Sequence, residues 1–175
     1  MRLSNTRIQY YVEGDCEQKL VKTLVAHNLI LPGQTDVLNP VQDHIKSTHL
    51  RKLPAKTTVV LIFDTDKNNM DILKTNIQSL KKHPNIKQII TIPQVTNLEK
   101  ELIRCTDVHQ VRQLLNCKTN SEFKTAFIEE KRLYEKLQSH HFDFEKLWSD
   151  KPSEAFLKAE IQNESKMIKL IDIKY

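Results

Sequence analysis

Apolar residues along this chain first alternate in short runs and later recur at helical spacing. Residues 7–13, RIQYYVE, set Ile8, Tyr10 and Val12 against more polar neighbours and stop at Gly14, which predicts a strand. In 15–29, Leu20, Val21, Leu24 and Val25 recur at helical spacing. They predict an amphipathic helix with Asp15 as N-cap and Gln18 three residues on. Residues 31–40 read as a loop with a short strand around 36–38. The run TTVVLIFD at 57–64 is continuously β-branched and aromatic, the pattern of a central strand covered on both faces. Met70, Leu73, Ile77 and Leu80 form one helical stripe, and IKQIITIP at 86–93 is a further strand ended by Pro93.

Beyond residue 95 the pattern is helical. Thr96 and Glu99 have capping-box spacing at the start of one helix. Residues 107–116 read as another, and 121–139 as one long amphipathic helix through Phe123, Phe127, Tyr134 and Leu137. The tail has helical patches and an apolar stretch at 167–173, and Trp148, Phe142 and Phe144 are expected to pack the helices onto the sheet. Strands alternating with helices imply an α/β fold with a mainly parallel four-stranded sheet and right-handed crossovers. The expected organisation is an α/β core over 1–95 and a helical extension over 96–175 packed on it.

Composition narrows the class. With 2 Gly and 6 Pro in 175 residues the chain is neither collagen-like nor low-complexity. The 3 cysteines, Cys16, Cys105 and Cys117, are far apart and lack CxxC spacing, so no disulfide framework or zinc site is signalled. Reduced thiols and a cytoplasmic setting are the expectation. No apolar run approaches the ~18 residues of a membrane span. The net charge of +5 suits a polyanionic partner and equally a solvated basic surface. Lys46, Arg51, Lys52 and Lys56 form a basic stretch able to track a phosphate backbone.

The chemistry lies where two strands end. Glu13 follows the first, and Asp64 with Asp66 ends the 57–64 run. In parallel sheets ligands bind outside the carboxyl ends of the strands, so two distant segments converge on one acidic site. Two like charges about 4 Å apart repel by about 4 kcal/mol at an effective dielectric near 20. Either a proton or a cation must sit among them, and hard oxygen ligands favour Mg²⁺ or Mn²⁺. Glu17 falls four residues after Glu13, placed either as a further metal ligand or as a first-turn residue stabilised by the helix dipole. Glu99 and Glu101 follow the last strand and are candidates for a further carboxylate at the site, although the capping box is the better account of Glu99. Of the histidines, His44, His49 and His109 have no partner at ligand spacing, and the adjacent pair His140–His141 is expected at the surface, pointing apart.

The segments VEGDCE and FDTD together resemble the TOPRIM domain, which has a Glu after its first strand and a DxD after a later one. The likeness covers roughly residues 7–93 and is nearest to the OLD-family and RloB-like branch, where a second Glu follows the first by four. That resemblance implies a TOPRIM-like Rossmannoid and a Mg²⁺- or Mn²⁺-dependent nuclease acting on DNA or RNA in phage defence or mobile-element biology. It implies Glu13, Asp64 and Asp66 as catalytic metal ligands, Glu13 also as general base, and Glu17 as a further ligand. Lys67, after the DxD, is the candidate for a basic residue near the scissile phosphate. The chain departs from OLD proteins in lacking a GxxxxGK[ST] ATPase motif, which leaves a stand-alone protein, a homodimer or a partner-dependent one open. Two alternatives stand beside the nuclease: a non-catalytic TOPRIM-fold module that binds a protein or nucleic acid, and a phosphatase of haloacid-dehalogenase type. The latter begins with a similar DxD but departs from this chain at Asn68.

Overall fold

The computed structural model describes residues 7–66 and 70–170. Four strands, β1 (Arg7–Val12), β2 (Gln34–Val37), β3 (Thr57–Asp64) and β4 (Ile86–Gln94), form one wholly parallel sheet in the order β2-β1-β3-β4. The helices are α1 (Asp15–Ala26), α2 (Ser47–Arg51), α3 (Met70–Lys82), α4 (Leu98–Arg104), α5 (Asn120–Glu129), α6 (Leu133–Ser139) and α7 (Glu154–Lys158). Short 3₁₀ helices occupy Val111–Leu115 and Ser165–Met167.

The continuous apolar run of β3 follows from cover on both faces. Val60 and Ile62 join Tyr10, Val12, Ile90 and Ile92 in one core, with α1, α4, α5, α6 and Trp148 over them. Val59, Leu61 and Phe63 face the other way, beneath α2, α3 and Phe156. The helical extension therefore shares a core with the sheet. Phe142 and Phe144 pack at the margin of that core, as their sequence predicts.

Chain order places a crevice at one edge of the sheet. From β1 the chain moves outward to β2, then returns to lay β3 on the other side of β1. The carboxyl ends of β1 and β3 thus flank the point where strand order reverses, where adjacent loops separate and leave room for a ligand.

Several boundaries differ from the sequence reading for local reasons. Gly14, not Asp15, is the N-cap of α1, and Asp15 lies in the first turn. Pro93 lies inside β4, in register with Phe63, and the strand runs on to Gln94. β4 ends the sheet order, and an outer strand tolerates a proline because its outward nitrogen owes the ladder no hydrogen bond. The cap of α4 is Asn97, whose side chain accepts from the Lys100 amide at 3.0 Å. The expected 121–139 helix is two helices, broken at Glu130 (φ −63°, ψ 116°). A straight helix aligns Tyr134 with Phe127 and turns Leu133 about 120° away. The break instead buries Leu133 and Leu137 beside Phe127, while Tyr134 stacks on His27 with ring centroids 4.1 Å apart. Of the apolar 167–173 stretch, Ile168 is buried, and its carbonyl accepts from Leu31 at 2.9 Å; residues 171–173 lie outside the described residues.

Candidate active site

The two acidic segments meet. Glu13, the residue after β1, accepts the Asp64 backbone N–H on Oε2 at 3.0 Å, across 51 residues of sequence. The β1–β3 register, with Val12 opposite Ile62, carries both strand ends to the same edge. Asp66, two residues past β3, is exposed and lines the same cavity as Glu13 and Asp64. That cavity encloses about 560 Å³.

Glu17 is buried in the first turn of α1. Gly14 makes room for it: a Cβ there would stand 3.1 Å from Glu17 Oε2. Burial raises the Glu17 pKa above the ordinary carboxyl value, and Glu13 and Glu99 add to the rise. Asp64 is pushed up to about 8, chiefly by burial and then by Glu13, Glu17 and Asp66, against a lowering hydrogen bond from Gln94.

That bond is set from behind. Gln94 Nε2 donates to Asp64 Oδ1 at 2.7 Å, and its Oε1 accepts from Trp148 Nε1 at 3.2 Å. An indole N–H only donates, so the Gln94 oxygen must face Trp148 and its NH₂ must face Asp64. The extension thereby fixes one oxygen of a site carboxylate. Gln94 gave no signal in sequence, because an amide at a strand end is ordinary.

Glu99 joins the cluster. With Asn97 as the cap, Glu99 is released from the expected capping box and pairs instead with Lys124 Nζ of α5 at 3.3 Å. Both line the large cavity and also an adjoining recess of about 230 Å³, which Glu17, Cys16 and Asp64 border too. Glu99 in turn raises the Lys124 pKa. Lys124 escaped sequence reading because it lies 58 residues beyond Asp66, on an ordinary amphipathic helix. Lys67 and Asn68 lie outside the described residues.

Glu101 lines neither space and is structural. It is fully buried, accepts from the amides of Val95 and Trp148 at 2.9 Å each, and pairs with Arg104 at 2.8 Å. His140 and His141 do not point apart as expected. His140 has left the helix, His141 adopts φ 55°, and each Nδ1 meets one oxygen of Asp107, at 3.0 and 2.8 Å. All three cysteines are free. No helix among the described residues is long and apolar enough to cross a membrane. The basic residues Lys46, Arg51, Lys52 and Lys56 are exposed, and none of them lines the carboxylate cavity.

The donor set suits a hard divalent cation. Glu13, Glu17, Asp64, Asp66 and Glu99 supply five carboxylates around the two adjoining spaces, which Cys16 and His109 also border, with Lys124 the cation paired among them. Among the described residues no three His, Cys, Asp or Glu side chains come together closely enough to hold one metal ion, so the chain itself supplies at most two ligands to it. Mg²⁺ typically takes one or two carboxylates and leaves the rest of its shell to water and substrate oxygens, so an open set of this kind fits it. Neither a family model, nor a curated protein, nor a solved structure matches this chain.

Proposed function

We propose that the chain is a Mg²⁺- or Mn²⁺-dependent nuclease of TOPRIM type that hydrolyses phosphodiesters of DNA or RNA. The observation that carries this reading is the meeting of Glu13 with Asp64, from two distant strand ends, at the point where strand order reverses. Glu13, Asp64 and Asp66 would surround the cation, at most two of them as direct ligands, with Glu17 and Glu99 behind them.

A cation bound there would neutralise charge developing on the phosphoryl oxygens and favour deprotonation of the attacking water. The remaining work falls to the chain. Glu13 Oε2 is anchored on the Asp64 amide, which leaves Oε1 to take the proton of the attacking water. Gln94 holds Asp64 Oδ1 and leaves its second oxygen for the ion. Lys124, steadied by Glu99, offers a positive group to a substrate phosphate. The +5 net charge favours capture of a polyanion.

One observation favours a second reading. Glu13 accepting the Asp64 amide is also what a purely structural brace between two strand ends would do, which suits a non-catalytic binding module. The two readings separate in one assay: single- and double-stranded DNA and RNA incubated with Mn²⁺ and either wild type or Asp64→Asn. The nuclease reading expects metal-dependent cleavage that chelation abolishes and that Asp64→Asn lowers at least ~100-fold. Cleavage of no substrate by wild type, or equal cleavage by both proteins, would reject it.

A further inference from the structure

We propose that His109 is the general acid of this site, protonating the oxygen that leaves phosphorus. The inference rests on the nuclease reading and deepens it. His109 lines the 560 Å³ cavity together with Glu13, Asp64 and Asp66, although it comes from a different part of the chain, the loop between α4 and the Val111–Leu115 turn. That loop is held in place. Val108 and Val111 on either side are buried in the core. Gln113 Oε1 accepts the amide N–H of both His109 (2.9 Å) and Gln110 (2.8 Å), which clamps the backbone at the loop tip. The imidazole itself is exposed and has no hydrogen-bond or ion-pair partner among the described residues. A fixed backbone with an uncommitted ring is the arrangement a proton donor needs.

Chemistry favours His109 over its neighbours. An alkoxide is a poor leaving group unless a proton reaches it as the bond to phosphorus breaks. The carboxylates across the cavity serve the cation and the attacking water. Lys124 is engaged with Glu99, which makes its ammonium a weaker acid still. Histidine is the residue type whose proton exchanges readily near neutral pH. In the step, the water oxygen bonds to phosphorus and yields a proton to Glu13. The bond from phosphorus to the leaving oxygen breaks, that oxygen keeps the electron pair, and the His109 imidazolium supplies the proton that makes it a hydroxyl. Proton transfer from Glu13 through solvent restores both groups.

The test varies the leaving group. Wild type, His109→Gln and His109→Ala are compared in Mn²⁺ on a dithymidine phosphodiester, which releases an alkoxide oxygen. They are compared in parallel on thymidine 5′-(4-nitrophenyl) phosphate, which releases a nitrophenolate that needs no proton. The melting temperature, and its rise on adding Mn²⁺, are recorded for each protein to show that fold and cation binding are retained. The proposal expects both variants to lose at least ~100-fold on the dinucleotide and less than about threefold on the nitrophenyl ester. Equal losses on the two substrates, or no loss on the dinucleotide, would overturn it and leave the nuclease reading standing. Wild type that hydrolyses neither of these esters nor any of the single- and double-stranded DNA and RNA substrates would overturn both.

Discussion

Asp64 is a carboxyl whose proton is held by its surroundings. Its pKa in the folded chain, about 8, exceeds the ordinary 3.8, so the folded state binds this proton more tightly than the unfolded state does. The stability linked to it is complete below about pH 4 and is lost as pH rises toward 8, a change on the order of a few kcal/mol. Glu17, also raised, adds to the loss with the same sign. The melting temperature should therefore fall across this window, and Asp64→Asn should flatten the fall while keeping the Gln94 bond. A melting temperature that does not depend on pH between 4 and 8 in the wild type would contradict this. At the same scale, Glu101→Ala strips two amides and Arg104 of their buried partner. It should cost about 3–5 kcal/mol in urea unfolding, far more than removal of an exposed acid.

Among the elements, α5 links packing to the site. Its buried Phe123 and Phe127 seat the helix in the core, with ring centroids 5.3 Å apart, and that seating carries Lys124 to Glu99. Phe127→Ala should cost about 3–5 kcal/mol of stability and, by loosening α5, weaken substrate capture as well. Lys124→Ala, at an exposed position, should leave the melting temperature within about 2 °C and act on substrate binding alone. Thermal melts with oligonucleotide-binding curves distinguish the two. The elements also show what a single sequence can reveal. The β3 bounds of 57–64 were legible because a buried strand between turn residues admits one register. The break at Glu130 was not, since Tyr134 continues the Phe127 stripe and only the core shows that Leu133 is preferred. The Thr96/Glu99 box was outcompeted by Asn97 one residue later, and that shift frees Glu99 for the site.

The whole molecule is a sheet edge closed by its own extension. Trp148 orders Gln94, Glu101 ties Trp148 to Val95, and the apolar core runs continuously from β1 to Ile168. Residues 96–170 and the sheet should therefore unfold in one transition. Trp148 fluorescence and far-UV circular dichroism should give coincident denaturation curves, and a chain cut at 95 should stay unfolded. The meeting of Glu13 with Asp64 was legible because strand ends in a parallel sheet share an edge. Gln94, Lys124 and His109 were not, because each reaches that edge through tertiary packing and has no spacing to mark it.

The central claim is that these carboxylates together bind a divalent cation. Titration of Mn²⁺ into the protein, followed by the loss of the free-ion electron paramagnetic resonance signal, tests it most directly. Saturable binding that Glu13→Gln and Asp64→Asn each weaken at least ~10-fold is the expected result. Absence of binding at millimolar Mn²⁺, or binding that neither substitution alters, would contradict it.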